Sequence, residues 1–228
     1  MSKDIKIKKG LTIRLKGEAE KTLSNAPRSR TFAIRPSDFH LFTPKLVKKE
    51  GEKIEAGETL FYSKQDQSIT FSSQVSGTLT QIERGPKRVI TKLTIEGDQE
   101  DVFKDFGILS PEGLSSQEIK KHLLTSGCWP FIKQRPYDVI ANPLSAPKAI
   151  FISGLSTGPL DADLDFVLAG KEKEVQAAIT ALSKLTDGAL HLTVADDSTS
   201  MLSGMSHVVL HKANLLHPAG NVGTQITK

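Results

Sequence analysis

The first half of the chain contains two near-copies of one short motif, VKKEGE at residues 47–52 and IEAGE at residues 54–58, which run directly into the apolar stretch TLFY at residues 59–62. Gly51 and Gly57 each lie where a strand must reverse, because glycine adopts positive φ without a side-chain penalty. The pattern therefore predicts strand, turn, strand, turn and strand.

Further short strands separated by glycine follow this stretch. VSGTL at residues 75–79 and QIERG at residues 81–85 precede the alternating run VITKLTI at residues 89–95. Short strands bounded by glycine predict a compact all-β unit. Over about residues 38–97 the arrangement resembles the hammerhead, or barrel-sandwich, fold of lipoyl and biotinyl carrier domains.

A carrier domain of that kind presents one modifiable lysine at the tip of an exposed hairpin. Lys64 is the only lysine near that position, and its neighbours are Ser63 and Gln65. The biotinyl pattern has methionines beside the lysine, and the lipoyl pattern has an acid-Lys-Ala turn. We therefore interpret Lys64 as a solvated hairpin residue, and a carrier-like or adaptor module with a modifiable Lys64 is the alternative function.

Length and composition favour a soluble chain of two domains. The 228 residues are long for one core, and no stretch approaches the apolar length that spans a membrane. Ile5 and Ile7 alternate with lysines as in a strand, so no export signal is expected. The single cysteine, Cys128, excludes an internal disulfide and a cysteine-ligated zinc site or iron–sulfur cluster built from this chain alone.

The formal net charge of +4 is a mild basic excess, spread over residues 3–21, 45–53 and 84–92. Nucleic-acid binding is not expected, because it needs aromatic residues interleaved with the charges and only 6% of the chain is aromatic. We interpret the lysines as protecting solvated edge strands. The alternative is that they meet an acidic partner or an anionic membrane leaflet.

The pattern changes after residue 100. The SSQE motif at residues 115–118 predicts a capped helix, which should end at Gly127. A proline-broken loop follows, with WPF at residues 129–131 and RP at residues 135–136.

The second half of the chain opens with the apolar strand AIFISG at residues 149–154, a run typical of parallel strands buried on both faces. An amphipathic helix over residues 171–185 and a strand over residues 189–195 complete a parallel βαβ unit, as in nucleotide-binding sheets. Residues 201–228 are expected to be strands that lack neighbours.

The loop at residues 155–163 follows the first parallel strand, where a phosphate or nucleotide normally binds in such sheets. It contains Gly158 but neither Gly-x-Gly-x-x-Gly nor Gly-Lys-Ser, so we interpret it as a fold-defining turn. Asp196, Asp197 and Ser198 follow the second strand in the position of a ribose-binding acid, and we interpret them as a cap or loop. Dinucleotide binding by this domain is a third alternative.

No catalytic or metal site is predicted. The chain has no Gly-x-Ser-x-Gly motif and no partner for Cys128 that would suggest nucleophilic chemistry. His191, His207 and His211 look like strand or edge residues, and no metal-ligand spacing links them. The isolated chain is expected to catalyse nothing measurable.

The order of motifs along the chain is specific. The motifs are IKIKKGL at residues 5–11, SGT at 76–78, GPKRV at 85–89, SGCWP at 126–130, RP at 135–136, PLDAD at 159–163 and HPAGNVGT at 217–224. Together they resemble the A subunits of the sodium-pumping NADH:quinone oxidoreductases, over nearly the whole chain. Members of that family run considerably further, so this chain resembles an N-terminal portion.

The resemblance implies a fold of the α/β plus β class. Residues 1–100 would form a β-rich domain that contains the hammerhead. Residues 101–228 would form a degenerate Rossmann-like α/β domain, truncated at its C-terminus and similar to the NADH- and flavin-binding subunit of complex I.

The flavin-binding relatives carry a glycine-rich stretch where this chain has WPFIKQRP at residues 129–136. Flavin phosphate needs close backbone approach, which glycine permits and bulky residues such as Trp129 obstruct. We therefore expect a nucleotide-binding scaffold that has lost its nucleotide, with no covalently bound cofactor, flavin or iron–sulfur centre of its own.

The resemblance further implies a peripheral subunit on the cytoplasmic face of the bacterial inner membrane. Its partners would be quinone and the other subunits of a complex that oxidises NADH, reduces ubiquinone and exports sodium, with NADH and flavin used by those other subunits. A quinone head needs polar donors within an apolar pocket. The candidate contacts are His217, Gly220, Trp129, Phe131 and Arg135; the alternative for residues 217–220 is a tight turn on which further chain packs.

Overall fold

The computed structural model describes residues 4–17, 19–196 and 199–228. Contacts divide the chain into two compact units, each assembled from segments that are distant in sequence. We call Met1–Leu23, Ser110–Ile119 and Ala146–Lys228 the α/β unit, and Ser24–Leu109 with Lys120–Ser145 the β unit.

Short strands dominate the described residues. They are β1 (Asp4–Ile5), β2 (Thr31–Ile34), β3 (Pro44–Leu46), β4 (Lys53–Ile54), β5 (Thr59–Ser63), β6 (Thr70–Ser72), β7 (Gly77–Arg84), β8 (Ile90–Gly97), β9 (Lys133–Gln134), β10 (Val139–Ile140), β11 (Ala149–Ser153), β12 (Ala189–Ala195) and β13 (Val209–Ala213). The helices are α1 (Ser116–Thr125), α2 (Leu164–Val167), α3 (Glu172–Ser183) and α4 (Val222–Ile226). No helix within the described residues has the length and apolarity needed to cross a membrane.

Two antiparallel sheets, in the orders β2-β8-β7-β4 and β3-β5-β6, build the β unit. The reversals at Gly51 and Gly57 are confirmed, since both residues have the positive φ expected of such turns, 88° and 91°. The core consists of side chains from the strands that were predicted, and its most deeply buried members are Leu60, Phe61, Leu79, Leu93 and Ile95.

Phenylalanine rings from three places in the sequence pack together in the β unit. Phe61 on β5 stacks on Phe71 of β6 with ring centroids 4.8 Å apart, and Phe42 lies 4.4 Å from Phe71. Phe39 meets the same Phe71 ring edge-on at 4.5 Å. Such pairs add to the stabilisation from burial alone, so this cluster fixes the segment before β3 against the hairpin of β5 and β6.

Helix α1 is capped as the sequence predicts. The Glu118 carboxylate accepts from the Ser115 backbone N–H at 2.8 Å, and the Glu118 N–H donates to Ser115 Oγ at 3.3 Å. These reciprocal bonds satisfy amides that a helix start otherwise leaves free. The helix ends at Thr125, and Gly127 follows with φ of 75°, which agrees with the predicted stop.

A four-stranded parallel sheet in the order β1-β13-β12-β11 forms the α/β unit, with α3 between β11 and β12 in sequence. The predicted helix and both predicted strands are present. The prediction that residues 149–154 are buried on both faces is wrong, because all of β11 is only half-buried at the edge of this sheet. The deeply buried strand is β12, with Leu192 and Val194 fully inaccessible.

The division of the chain by contacts is not linear. The opening segment, expected in the β-rich domain, pairs with the end of the chain: Asp4 and Ile5 lie beside Lys212 and Ala213 in the parallel sheet. The pairing buries Ile5 in one cluster with Ala213 and Ala219. The expectation that residues 201–228 are strands without neighbours is therefore wrong, because β13 lies between β12 and β1.

The segment after residue 119 also groups differently from its predicted domain. Thr70 Oγ1 on β6 donates to the Leu124 carbonyl oxygen at 2.5 Å, and Gly127 approaches Ser72 so closely that a Cβ would lie 2.5 Å from its hydroxyl oxygen. The end of α1 thus packs on β6, which explains why Lys120–Ser145 belongs to the β unit.

Candidate functional site

The loop after β11 lies at the carboxyl end of the parallel sheet, where related sheets bind phosphate or nucleotide. Its backbone amides already have partners: Gly154 N–H donates to the Thr193 carbonyl at 2.7 Å, and Gly158 N–H donates to Asp161 Oδ2 at 2.8 Å. A carboxylate of the chain itself therefore occupies the place of an anion at Gly158. This agrees with a fold-defining turn.

The turn at residues 217–220 packs directly on this loop. His217 Nδ1 lies 3.2 Å from Thr157 Oγ1, and Gly220 N–H donates to the same hydroxyl oxygen at 3.0 Å. Ser153 Oγ donates to the Gly220 carbonyl at 2.9 Å. A Cβ on Gly220 would lie 2.8 Å from Thr157 Oγ1, so the absence of a side chain permits this close approach.

A buried glutamine reinforces the contact. Gln225 is 4% exposed, and its Nε2 donates to Ser153 Oγ at 2.8 Å and to the Ala219 carbonyl at 3.0 Å. The bonds tie α4 to the end of β11. No sequence motif marks Gln225, because its partners lie in distant segments.

The remaining predicted contacts lie in the β unit. Trp129 is 4% exposed, and its indole N–H donates to the Ala141 carbonyl at 2.7 Å, so its side chain supports the loop from within. Phe131 is 65% exposed, and Arg135 pairs with Asp138 at 3.7 Å on the surface. The five predicted residues are thus divided, with His217 and Gly220 in the α/β unit and the other three in the β unit.

The β unit also contains a cavity that the sequence did not predict. Its volume is about 820 Å³, and it is lined by His40–Phe42, by the end of β5 with the loop that follows it, and by residues 139–144. None of the five predicted contacts lines it. The wall combines apolar side chains such as Ile140 with polar ones such as Asn142, and these segments are too far apart in sequence for any motif to signal them.

The hairpin that would carry a modified lysine is shaped by its serine. Ser63 Oγ accepts from the N–H groups of Gln65 and Asp66 at 3.3 and 3.4 Å, and the Lys64 N–H donates to the Thr43 carbonyl at 2.9 Å. The Lys64 side chain itself is exposed. The geometry thus places it where the sequence did, on the surface of the hairpin.

Two histidines that were treated as separate strand residues form a pair. His191 Nδ1 on β12 lies 2.8 Å from His211 Nε2 on β13, and the Phe151 ring stacks on His191 with centroids 4.6 Å apart. Burial, and to a lesser extent the neighbouring His211, lower the pKa of His191 below its ordinary value. Within the described residues no group of three or more metal-ligating side chains is assembled.

Comparison with known proteins assigns both halves of the chain. Residues 5–98 match the family model described as the NqrA N-terminal barrel-sandwich hybrid domain, and residues 114–228 match the one described as the NqrA second alpha/beta domain. The chain belongs to the NqrA family. The predicted resemblance, the barrel-sandwich domain and the α/β domain are therefore confirmed.

Several proteins of the NqrA family are similar over most of this chain. The A subunit of the Na(+)-translocating NADH-quinone reductase of Yersinia pseudotuberculosis serotype O:1b (strain IP 31758) is 33% identical over 224 residues, which is 97% of this chain and 50% of the relative. Proteins of the same name from Saccharophagus degradans and Marinomonas sp. (strain MWYL1) are 31% identical, with the same coverage. The chain thus spans half the length of these relatives.

Proposed function

We propose that this chain is a peripheral subunit of a redox pump that couples NADH oxidation and ubiquinone reduction to sodium export. Its place would be on the cytoplasmic face of the bacterial inner membrane, and its own part would be quinone access or assembly. The proposal extends to this chain what the names of its relatives state of them, since it matches half of each relative's length.

One observation supports an assembly role above others. The carboxyl end of the parallel sheet, where a nucleotide would bind, is filled by the chain's own turn at residues 217–220 through Thr157 and Ser153. A nucleotide phosphate would have to displace these bonds and the Asp161 carboxylate at Gly158. We infer that the unit carries no flavin or NADH of its own and that other subunits supply them.

A contact with quinone is the finer part of the proposal. Thr157 Oγ1 accepts from Gly220 N–H, so its own hydroxyl hydrogen is available to His217 Nδ1. A neutral imidazole then carries its proton on Nε2, which has no partner among the described residues and is suited to donate to a quinone carbonyl. In the β unit, the exposed Phe131 ring and the Arg135 guanidinium offer a stacking face and a donor, and Trp129 supports them from behind.

The experiment is purification of the tagged protein from its native host. We expect the membrane flavoprotein subunits to copurify and the preparation to reduce ubiquinone with NADH. In that preparation, His217→Ala or Arg135→Ala should raise KM for ubiquinone with little change for NADH, and His122→Ala is the matched control. Absence of copurifying subunits contradicts the proposal, and unchanged kinetics in an intact complex contradict the quinone contact alone.

The alternative is a carrier or adaptor module, and one observation favours it. Lys64 is exposed on its hairpin, and its side chain makes no bond within the described residues. The intact mass of the protein from its native host separates the two functions. We expect the unmodified mass, and an added lipoyl or biotinyl group on Lys64 would favour the carrier.

A further inference from the structure

The segment at residues 11–16 continues from the edge of the parallel sheet without a partner of its own. The Asn214 side chain extends the pairing of β1 by one residue, since its Oδ1 accepts from Ile7 N–H at 2.8 Å and its Nδ2 donates to the Ile7 carbonyl at 3.1 Å. Leu11 N–H then donates to the His217 carbonyl at 3.2 Å. Beyond Leu11, residues 12–17 make no hydrogen bond to any described residue.

The side chains of this segment alternate as in a strand. Leu11, Ile13 and Leu15 are 72%, 59% and 50% exposed, and polar or basic residues stand between them. A single exposed apolar side chain is ordinary, but three at alternate positions on an unpaired backbone form a stripe. The stripe continues the alternation of Ile5 and Ile7, which are buried. It therefore has the pattern of a strand whose neighbour is missing.

The charge around the stripe has one sign. Five exposed cations and a single anion, Asp4, lie within residues 4–17, and none of the cations forms an ion pair with a described residue. The cations are Lys6, Lys8, Lys9, Arg14 and Lys16. A second copy of the segment would place like charges opposite one another, which is unfavourable. The complementary surface is acidic.

We propose that residues 11–16 add as a strand to the open sheet edge of a partner protein that carries Asp or Glu at alternate positions. Strand addition pairs the free N–H and C=O groups of the segment and buries the leucine and isoleucine stripe. An anionic lipid surface satisfies the charges but leaves the backbone groups unpaired in an apolar medium, which is costly. The inference rests on the proposed function only in that the partner is another subunit of the complex.

The test is hydrogen–deuterium exchange of the complex purified from the native host, compared with the isolated chain. In the isolated chain the amides of residues 12–16 should exchange at the rate of an open backbone. In the complex at least alternate amides should slow by about tenfold or more, because a paired strand donates every second N–H to its neighbour.

Charge reversal provides the second arm. The double variant Arg14→Glu with Lys16→Glu should weaken retention of the other subunits roughly tenfold, since two attractive cross-strand pairs become repulsive. The matched control is Lys148→Glu with Lys173→Glu, an equal change at exposed sites of the same unit. Both variants should keep the thermal midpoint of the wild type, because none of these four side chains is bonded to a described residue.

Two results would overturn the inference while leaving the proposed function in place. One is an intact complex in which residues 12–16 exchange as fast as in the isolated chain. The other is binding of the isolated chain to phosphatidylglycerol vesicles that the double variant abolishes, with no protection in the complex, which would assign the segment to a membrane. If no subunits copurify, the proposed function fails and this inference fails with it.

Discussion

His191 and His211, on neighbouring parallel strands, are joined by a hydrogen bond of 2.8 Å between Nδ1 and Nε2. One imidazole must donate and the other must accept, so the bond requires at least one neutral ring. Phe151 covers His191 on the side of β11, which limits its access to water. The pair is therefore stable only while one ring remains unprotonated.

Acid should destabilise the α/β unit through this pair. The pKa of His191 is lowered in the folded state from its ordinary 6.5, so the unfolded chain binds more protons. Stability is complete above about pH 6.5, falls as the pH drops below that value and levels off below the folded pKa. We expect the thermal midpoint to fall between pH 7.5 and pH 5, and His191→Gln to reduce that fall. His122→Gln is the control, and an unchanged pH slope in His191→Gln would refute the assignment.

Gly220→Ala should destabilise the α/β unit, because the new Cβ would lie 2.8 Å from Thr157 Oγ1 and 2.9 Å from the Thr157 nitrogen. Overpacking of this kind costs about 1–3 kcal/mol. Urea unfolding measures the loss. Gly204→Ala, where nothing lies within 4 Å of the added carbon, should change little, and equal effects at the two sites would count against the packing argument.

Lys184 binds the turn before α1 through backbone oxygens. Its Nζ donates to the carbonyls of Pro111, Glu112 and Leu114 at 2.7, 2.7 and 2.8 Å. Lys184→Met keeps the length of the side chain but removes the three bonds, so we expect a loss of about 1–2 kcal/mol in the free energy of unfolding, reduced by partial exposure. Lys173→Met is the exposed control on the same helix. A Lys184→Met protein as stable as the control would show that the bonds contribute nothing.

Ser76 organises two aspartates in the β unit. Its N–H donates to Asp101 Oδ1 at 2.8 Å, and its hydroxyl donates to Asp98 Oδ2 at 2.9 Å and accepts from the Val102 N–H at 3.0 Å. Ser76 is 1% exposed, so Ser76→Ala should cost about 1–2 kcal/mol by leaving buried partners unpaired. Ser76→Thr, which keeps the hydroxyl, is the partial rescue. Hydrogen exchange of the β7 and β8 amides reads out the effect.

The same aspartates predict acid sensitivity of the β unit at a lower pH. Hydrogen bonds from Lys53 and then Ser76 lower the pKa of Asp98, and those from Arg28 and then Ser76 lower the pKa of Asp101, both from 3.8. Their stabilisation is therefore complete above pH 3.8 and is lost as the pH falls through the lowered values. The exchange of β8 amides should rise only below about pH 4, well under the range that affects β12. Loss of both at one pH would contradict this separation.

Local features of the fold follow from short stretches of sequence. Gly51 and Gly57 mark two turns because their φ values are positive, and Ser115 with Glu118 marks the start of α1 because the two residues satisfy each other's backbone amides. The limits of α3 agree with its predicted apolar periodicity to within two residues at each end. In each case the interacting atoms lie within a few residues of one another.

The candidate site was predicted less well, because its contacts join segments far apart in the chain. His217 and Gly220 were selected from a motif, but their partners Thr157 and Ser153 lie more than fifty residues away in sequence. The pairing of β1 with β13 crosses almost the whole chain. No periodicity encodes which strand becomes the neighbour of another.

The sequence by itself determined the kinds of element, the turns and the membership of the family, since backbone preferences and apolar alternation act over a few residues and a specific order of motifs survives in the chain. The tertiary structure decided which elements are neighbours. It brought the first strand beside the last, paired His191 with His211 and seated the turn at residues 217–220 on the loop after β11. The reason is physical: burial of Ile5 and Ala213 in one cluster and the pairing of their backbones depend on the packing of the whole unit, which no local stretch contains.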